Sequence, residues 1–331
     1  MIGAVLTVGG IALFVYLVYS VGFDDIYQGV FRFGQAGFAV ILALYFIRIL
    51  TRAYAWKLSV HEPYSLRLRD TIPAVIIGEA MSSTIPLGIL ISGTSKAIAV
   101  RKHIPMVGGL SSVATENLFY SLVTSIFLIL GGGVLLRSFT LDDGLVVTVD
   151  FMIASVGILV FFGILMIIRQ WRFASVSCEW LYKVGFLRSI LENGRADVRR
   201  FEDLIYSFYR RYPGRFLPII LLETAYFVLG VCEVWYILSR LGDAYPSVMT
   251  SFLLESISRL ITILFKLIPF VIGVDEAGAQ FIGQTVALAA GVGVTLAIIR
   301  KGRILFWASI GFILIIKRGL SLREINSLGK V

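Results

Sequence analysis

The stretch IPFVIGVDEAGAQFIG, running from Ile268 to Gly283, decides the fold. It lies in one of the most apolar regions of the chain. Yet it carries Pro269, the glycines Gly273, Gly278 and Gly283, and the adjacent acids Asp275 and Glu276. A proline inside a helix removes a backbone hydrogen bond and clashes with the preceding turn. In lipid the freed groups must be satisfied by protein or by water in a cavity. Such a segment is expected to turn back at membrane depth and to line a site. A second apolar stretch, 71–100, is interrupted in the same way at Pro86 and by Gly88 and Gly93.

The composition around these stretches is that of a membrane protein. Of 331 residues, 58% are hydrophobic and 15% charged, and the mean hydropathy is +0.88. A soluble domain is nearer half apolar and a quarter charged. Nothing reads as a soluble catalytic domain, so residues 1–331 form one membrane domain, expected in the cell membrane. The start, MIGAVLTVGGIALFVYLVYSVG, has no basic leader and no small-residue cleavage site, and reads as a retained span. Cys178, Cys232, His61 and His103 form no metal-ligand spacing. No metal and no cofactor are expected. The net charge of +9 suits loops facing anionic lipid, not nucleic acid.

A span needs about 20 apolar residues. Residues 2–22, 36–58, 104–136, 146–168, 216–241 and 294–317 qualify. Basic loops set the orientation. The loop 169–215 holds ten Lys/Arg against five Asp/Glu and is expected on the cytoplasmic side. The tail 319–331 and the loop bearing Lys57, Arg67 and Arg69 join it there, whereas LRSFTLDDG (136–144) suits the outside. Segment 71–102 then starts and ends inside, and segment 246–292 starts and ends outside. The expected fold is therefore an all-α polytopic membrane protein. It has about six full transmembrane helices plus two oppositely oriented re-entrant helical hairpins in an inverted repeat, with both termini cytoplasmic. Interrupted segments at corresponding places in two inverted halves point to a midplane transport site. In the loop 169–215, aromatics alternate with Arg and Lys, the pattern of a helix lying in the interface.

Ionisable groups within membrane segments cost roughly 2.5–3.5 kcal/mol each and are functional candidates by default. Here they are Arg48, Arg52, Glu79, Glu116, Asp150, Glu223, Glu233, Glu255, Arg259, Lys266, Asp275, Glu276, Arg300 and Arg303. Arg48, Arg52, Asp150 and Glu233 lie near span ends, can snorkel, and are set aside on that ground. Glu255 and Arg259 share a helix face and can pair. Arg300 and Arg303 open the last span on one face. These basic groups could hold a phosphate, which arginine grips with a fork of donors. The carboxylates could balance them, or bind a cation or proton. An ion-pair network that only fixes the hairpins is the plainer reading.

GEAMSSTIPLGILISGTSKAIAV (78–100) followed by ATENLFY (114–120) resembles the lysylphosphatidylglycerol synthase transmembrane-region family, a flippase-like family that includes hopanoid-cluster membrane proteins. So does ESISRLITILFKLIPFVIGVDEAG (255–278) followed by LAIIRKGR (296–303). The first block departs from the pattern, with Gly93-Thr94 and Lys96 where the family often has Gly-Glu and Arg; Lys96 keeps the positive charge. The resemblance implies re-entrant helices in inverted repeats and the handling of lipids. In two-domain members the aminoacyl-transfer chemistry belongs to a soluble C-terminal domain. This chain ends at Val331 and is expected to lack that domain.

The expected function is translocation of a polar, phospho- or aminoacylated lipid. Arg259, Lys266, Arg300 and Arg303 would contact phosphate, and Asp275 and Glu276 an amine or proton, with Glu79, Lys96, Glu116 and Glu255 completing the site. No Walker A motif is present to hydrolyse ATP, and no enzyme activity is expected. The alternatives are a membrane-embedded enzyme acting on a lipid headgroup, and a non-catalytic partner of a lipid-modifying enzyme.

Overall fold

A computed structural model describes residues 2–85, 88–139, 143–184, 188–242, 246–289 and 291–318. Pro86 and the tail 319–331 lie outside the described residues. The described chain is all-helical. Its helices are α1 (Ile2–Val21), α2 (Phe23–Leu58), α3 (Leu68–Thr84), α4 (Gly88–Ala99), α5 (Met106–Ser138), α6 (Asp143–Arg169), α7 (Phe173–Val184), α8 (Arg188–Arg211), α9 (Phe216–Leu241), α10 (Val248–Leu264), α11 (Val274–Thr285) and α12 (Val292–Lys317). Four apolar segments are long enough to cross a membrane: Phe23–Leu58, Met106–Ser138, Val149–Arg169 and Pro213–Leu241. Helix α12 is 26 residues long but carries Arg300, Lys301 and Arg303 on its first half.

The two interrupted stretches become helical hairpins of matching dimensions. Both α3 and α10 have 17 residues, and both α4 and α11 have 12. At 1.5 Å per residue a 12-residue helix is about 18 Å long, well short of a hydrocarbon core about 30 Å thick. The packing of the two sets corresponds. Helix α2 lies along α9. Helix α3 leans on α2 and α12, and α10 leans on α9 and α5. The set α2–α5 and the set α9–α12 thus interlock, each hairpin resting on the last helix of the other set. Helix α6 packs on α5 and turns large apolar side chains such as Phe151, Leu159 and Phe161 outward, as a lipid-facing helix must.

Three expectations are corrected. Gly93 breaks nothing: it sits inside α4, where a Cβ would only touch Val113 of α5 at 3.4 Å. Lipid offers no competing partner for the backbone, so a lone glycine does not end a helix there. Residues 23–35, which fall between the expected spans 2–22 and 36–58, are helical and belong to α2, which kinks at Gly34 (φ 67°). Asp24 and Asp25 in the first turn suit the positive end of the helix dipole. Arg48, Arg52 and Glu233 do not snorkel; Arg48 and Glu233 are buried in the bundle and Arg52 is nearly so, as described below, whereas Asp150 is exposed.

The break in the second hairpin is tightly specified. Pro269–Val271 form a single 3-10 turn, with Phe270 (φ 54°) and Val271 (φ 50°) in the left-handed region. Gly273 follows at φ 83°. The Gly273 N–H donates to Glu276 Oε2 at 2.7 Å, which caps α11. A Cβ on Gly273 would meet the Gly10 carbonyl of α1 at 2.0 Å. Gly273→Ala therefore meets both the left-handed penalty, about 1–2 kcal/mol, and a backbone clash. The expected result is a lower midpoint of thermal unfolding in detergent than for Gly278→Ala, where the neighbour is the far end of the flexible Ile261 side chain.

Helices α7 and α8 are docked at the end of the bundle where α2 stops and α9 begins. Arg215 donates to the carbonyls of Val60 at 2.9 Å and Leu58 at 3.3 Å. Phe208 of α8 is fully buried against Ala55, Phe119 and Ile219.

Candidate functional site

The intramembrane charges converge between α2, α9, α10 and α12. Glu255 of α10 is fully buried. Its Oε1 accepts from Arg48 and from Arg259, each at 3.2 Å, and its Oε2 accepts from Arg300 at 2.7 Å. Glu233 of α9 accepts from Arg48 at 3.1 Å and binds Arg303 through both carboxylate oxygens. Gly230 makes room for this packing, since a Cβ there would meet Glu255 Oε1 at 2.5 Å. Arg300 also donates to Ser258 Oγ at 3.1 Å, and that hydroxyl donates to Asp275 at 2.5 Å. Four arginines thus surround two glutamates, with one aspartate reached through a serine.

Aromatic faces complete the arginine sites. Tyr226 lies under Arg48 at 4.3 Å, Tyr45 under Arg303 at 4.0 Å and Tyr120 under Arg52 at 4.1 Å. A guanidinium on a ring face gains attraction that strengthens as water is excluded.

A second cluster joins α2, α4, α5 and α9. Arg52 donates to Glu116 through two nitrogens and to Asn117 Oδ1 at 3.3 Å. Lys96 stands 3.6 Å from the other oxygen of Glu116. Glu223 of α9 is fully buried beside these groups, facing Arg52, Glu116 and Lys96. Its carboxyl group lies in hydrogen-bond contact with the Glu116 carboxyl and accepts from no arginine or lysine among the described residues.

The remaining charges frame the hairpins. Lys301 binds Glu276 at 2.5 Å, so the Glu276 carboxylate is shared between a cation and the cap of α11. Glu79 of α3 accepts from the Tyr45 hydroxyl at 2.9 Å and forms no ion pair with a described residue. Lys266, in the break between α10 and α11, is half-buried and faces the charges of Arg259, Glu79 and Arg52. It makes no ion pair or hydrogen bond with a described residue.

The ten charged residues singled out by sequence therefore divide. Glu255, Arg259, Arg300 and Arg303 meet in one network, and Asp275 joins it through Ser258. Lys96 and Glu116 belong to the second cluster. Glu276 is tied to Lys301, and Glu79 and Lys266 stand between. Sequence reasoning missed Lys301, although it sits between Arg300 and Arg303. It set aside Arg48, Arg52 and Glu233, which are central.

Taking an ion out of water costs several kcal/mol, and mutual attraction repays this only with excellent geometry and further hydrogen bonds. The arginine–glutamate geometry meets that standard. What exceeds a structural need is the surplus of fork-shaped cations around Glu233 and Glu255, together with Lys266, which has no ion-pair partner among the described residues. No curated protein and no solved structure matches this chain. Residues 1–315 match the model of the lysylphosphatidylglycerol synthase TM region, and the chain belongs to that family.

Proposed function

We propose that this chain is a carrier that moves a polar, phospho- or aminoacylated lipid across the cell membrane, and not an enzyme. It would have six full spans and two re-entrant hairpins of opposite orientation in an inverted repeat, with both termini cytoplasmic. The observation that carries the reading is the unbalanced charge at the meeting point of the hairpins. Four arginines share Glu233 and Glu255, with Asp275 reached only through Ser258, and Lys266 has no ion-pair partner among the described residues at the second break.

A lipid phosphate supplies the missing negative charge and accepts from Arg259, Arg300 and Lys266. A cationic group on the headgroup meets Glu223, with Glu79 near the entrance. The acyl chains stay in lipid. Because these side chains are buried or nearly so, the headgroup reaches them when the hairpins part from α5 and α12. Membership of a lipid-handling family supports the substrate class.

Purified protein in liposomes with fluorescent phospholipids tests this. A membrane-impermeant quencher reports how much lipid reaches the other leaflet. Movement faster than in protein-free liposomes is expected, slowed about tenfold in Lys266→Ala, as follows from losing a hydrogen-bonded contact to a charged group worth roughly 1.5–3 kcal/mol. No movement of any lipid would overturn the carrier reading.

The topology has its own test. In a background lacking Cys178 and Cys232, Asp143→Cys is expected to react with an impermeant maleimide in intact cells. Asp197→Cys is expected to react only after permeabilisation. Both positions are exposed. The reverse pattern would overturn the orientation.

A further inference from the structure

Helices α7 and α8 form a rigid corner whose features the carrier reading does not use. Glu202 of α8 accepts from the backbone N–H of Ala174 at 2.8 Å and of Ser175 at 3.2 Å, and from the Ser175 hydroxyl. It thereby satisfies the first turn of α7, where orphan N–H groups need a partner. The Tyr206 hydroxyl donates to the Trp171 carbonyl at 2.5 Å, and Arg172 pairs with Asp203 at 2.9 Å. The corner is fixed by side chains of α8 gripping the start of α7.

Two surfaces follow from that geometry. On α7, Phe173, Val176, Trp180 and Val184 recur at helical spacing and are each more than 60% exposed. Aromatic and aliphatic groups on one helix face lie naturally at the headgroup–acyl boundary. On α8, Ala196, Arg199, Arg200, Asp203, Ser207 and Arg210 share another face. With Arg172 they line a cleft of about 630 Å³. Four arginines face one aspartate there, and Arg199, Arg200 and Arg210 have no carboxylate within ion-pair distance among the described residues.

We infer that the cleft formed by Arg172, Arg199, Arg200 and Arg210 binds the phosphodiester headgroup of an anionic membrane lipid, in the leaflet on which α7 lies. Charge complementarity selects the ligand class, because arginine forks match phosphate oxygens in pairs. The apolar face of α7 selects the source, because it places the cleft at the level of lipid phosphates and not in free solution. The site is separate from the charges between α2, α9, α10 and α12 and does not depend on their role. It would hold a lipid in place at the surface and so tie the protein to anionic membrane.

The test uses the full chain in phosphatidylcholine liposomes containing a headgroup-tethered photo-crosslinking phosphatidylglycerol. Crosslinked peptides are mapped by mass spectrometry. Crosslinks are expected within residues 171–176 and 196–210, competed by excess phosphatidylglycerol but not by phosphatidylcholine or inorganic phosphate. Each basic group near an anionic surface contributes about 1 kcal/mol. The double variant Arg199→Gln/Arg200→Gln should therefore lose these crosslinks by on the order of tenfold. Crosslinks to α10 or α12 report the intramembrane charges and are expected to persist in that variant. An unchanged yield in residues 171–210, equal competition by phosphatidylcholine, or displacement by inorganic phosphate would overturn the assignment.

Discussion

Replacing Glu255 with alanine is expected to cost the fold about 3–5 kcal/mol, the range for removing one partner of a buried ion pair. The reason is geometric. Glu255 is fully buried and is the shared acceptor of Arg48, Arg259 and Arg300, which come from three different helices. Without it, three guanidinium groups remain in a low-dielectric interior with only Glu233, which already holds Arg303, and Asp275, reached by Arg300 through Ser258, to balance them. The alanine also leaves a void between α9 and α10, so Glu255→Gln is the cleaner test of charge alone and should recover only part of the loss. Thermal unfolding of the detergent-purified protein measures both. Asp150→Ala, at an exposed position on α6, is the control and should stay within about 0.5 kcal/mol of wild type. A Glu255→Ala protein as stable as wild type would mean that the arginines are held by something other than this carboxylate.

The same residues show where sequence reading succeeds and where it stops. The break between α10 and α11 at Pro269–Gly273 was legible because proline and glycine inside an apolar run interrupt a helix. Asp275 and Glu276, singled out beside that break, are both buried. The partner of each charge was not. Whether Arg48 snorkels or is buried depends on α9 lying along α2, a contact between residues 185 positions apart. Distance from the end of a span is a property of one helix, and it placed Arg48, Arg52 and Glu233 wrongly because tertiary packing decided their burial. Lys301 was hidden because two arginines on either side drew the reading to their own face. Gly93 was misread because glycine weakens a helix in water more than it does where lipid offers no alternative hydrogen bond.

The largest functional effect is expected from Glu223→Gln, a change that adds no volume. Glu223 is fully buried with no arginine or lysine hydrogen bond of its own, against the Glu116 carboxyl, in a bundle where Glu233 and Glu255 are saturated with arginine contacts. A carboxylate left that way is costly in a low dielectric. In the carrier reading, a cationic headgroup approaches it during the transport cycle. Glutamine keeps the shape and removes the charge that such a ligand would meet. Losing one partner of a buried charged contact is worth roughly 2–5 kcal/mol, so movement of an aminoacylated lipid should fall on the order of a hundredfold. Movement of a lipid without a cationic headgroup should change far less, and unfolding temperature should not drop. The contrast with Glu255 is the informative part: one buried glutamate holds the helices together, and the other faces an unfilled role. Equal loss for both lipids would place Glu223 in the opening of the hairpins instead of in headgroup recognition. Unchanged transport of the aminoacylated lipid would remove it from the site altogether and leave the arginine surplus as the sole basis for binding.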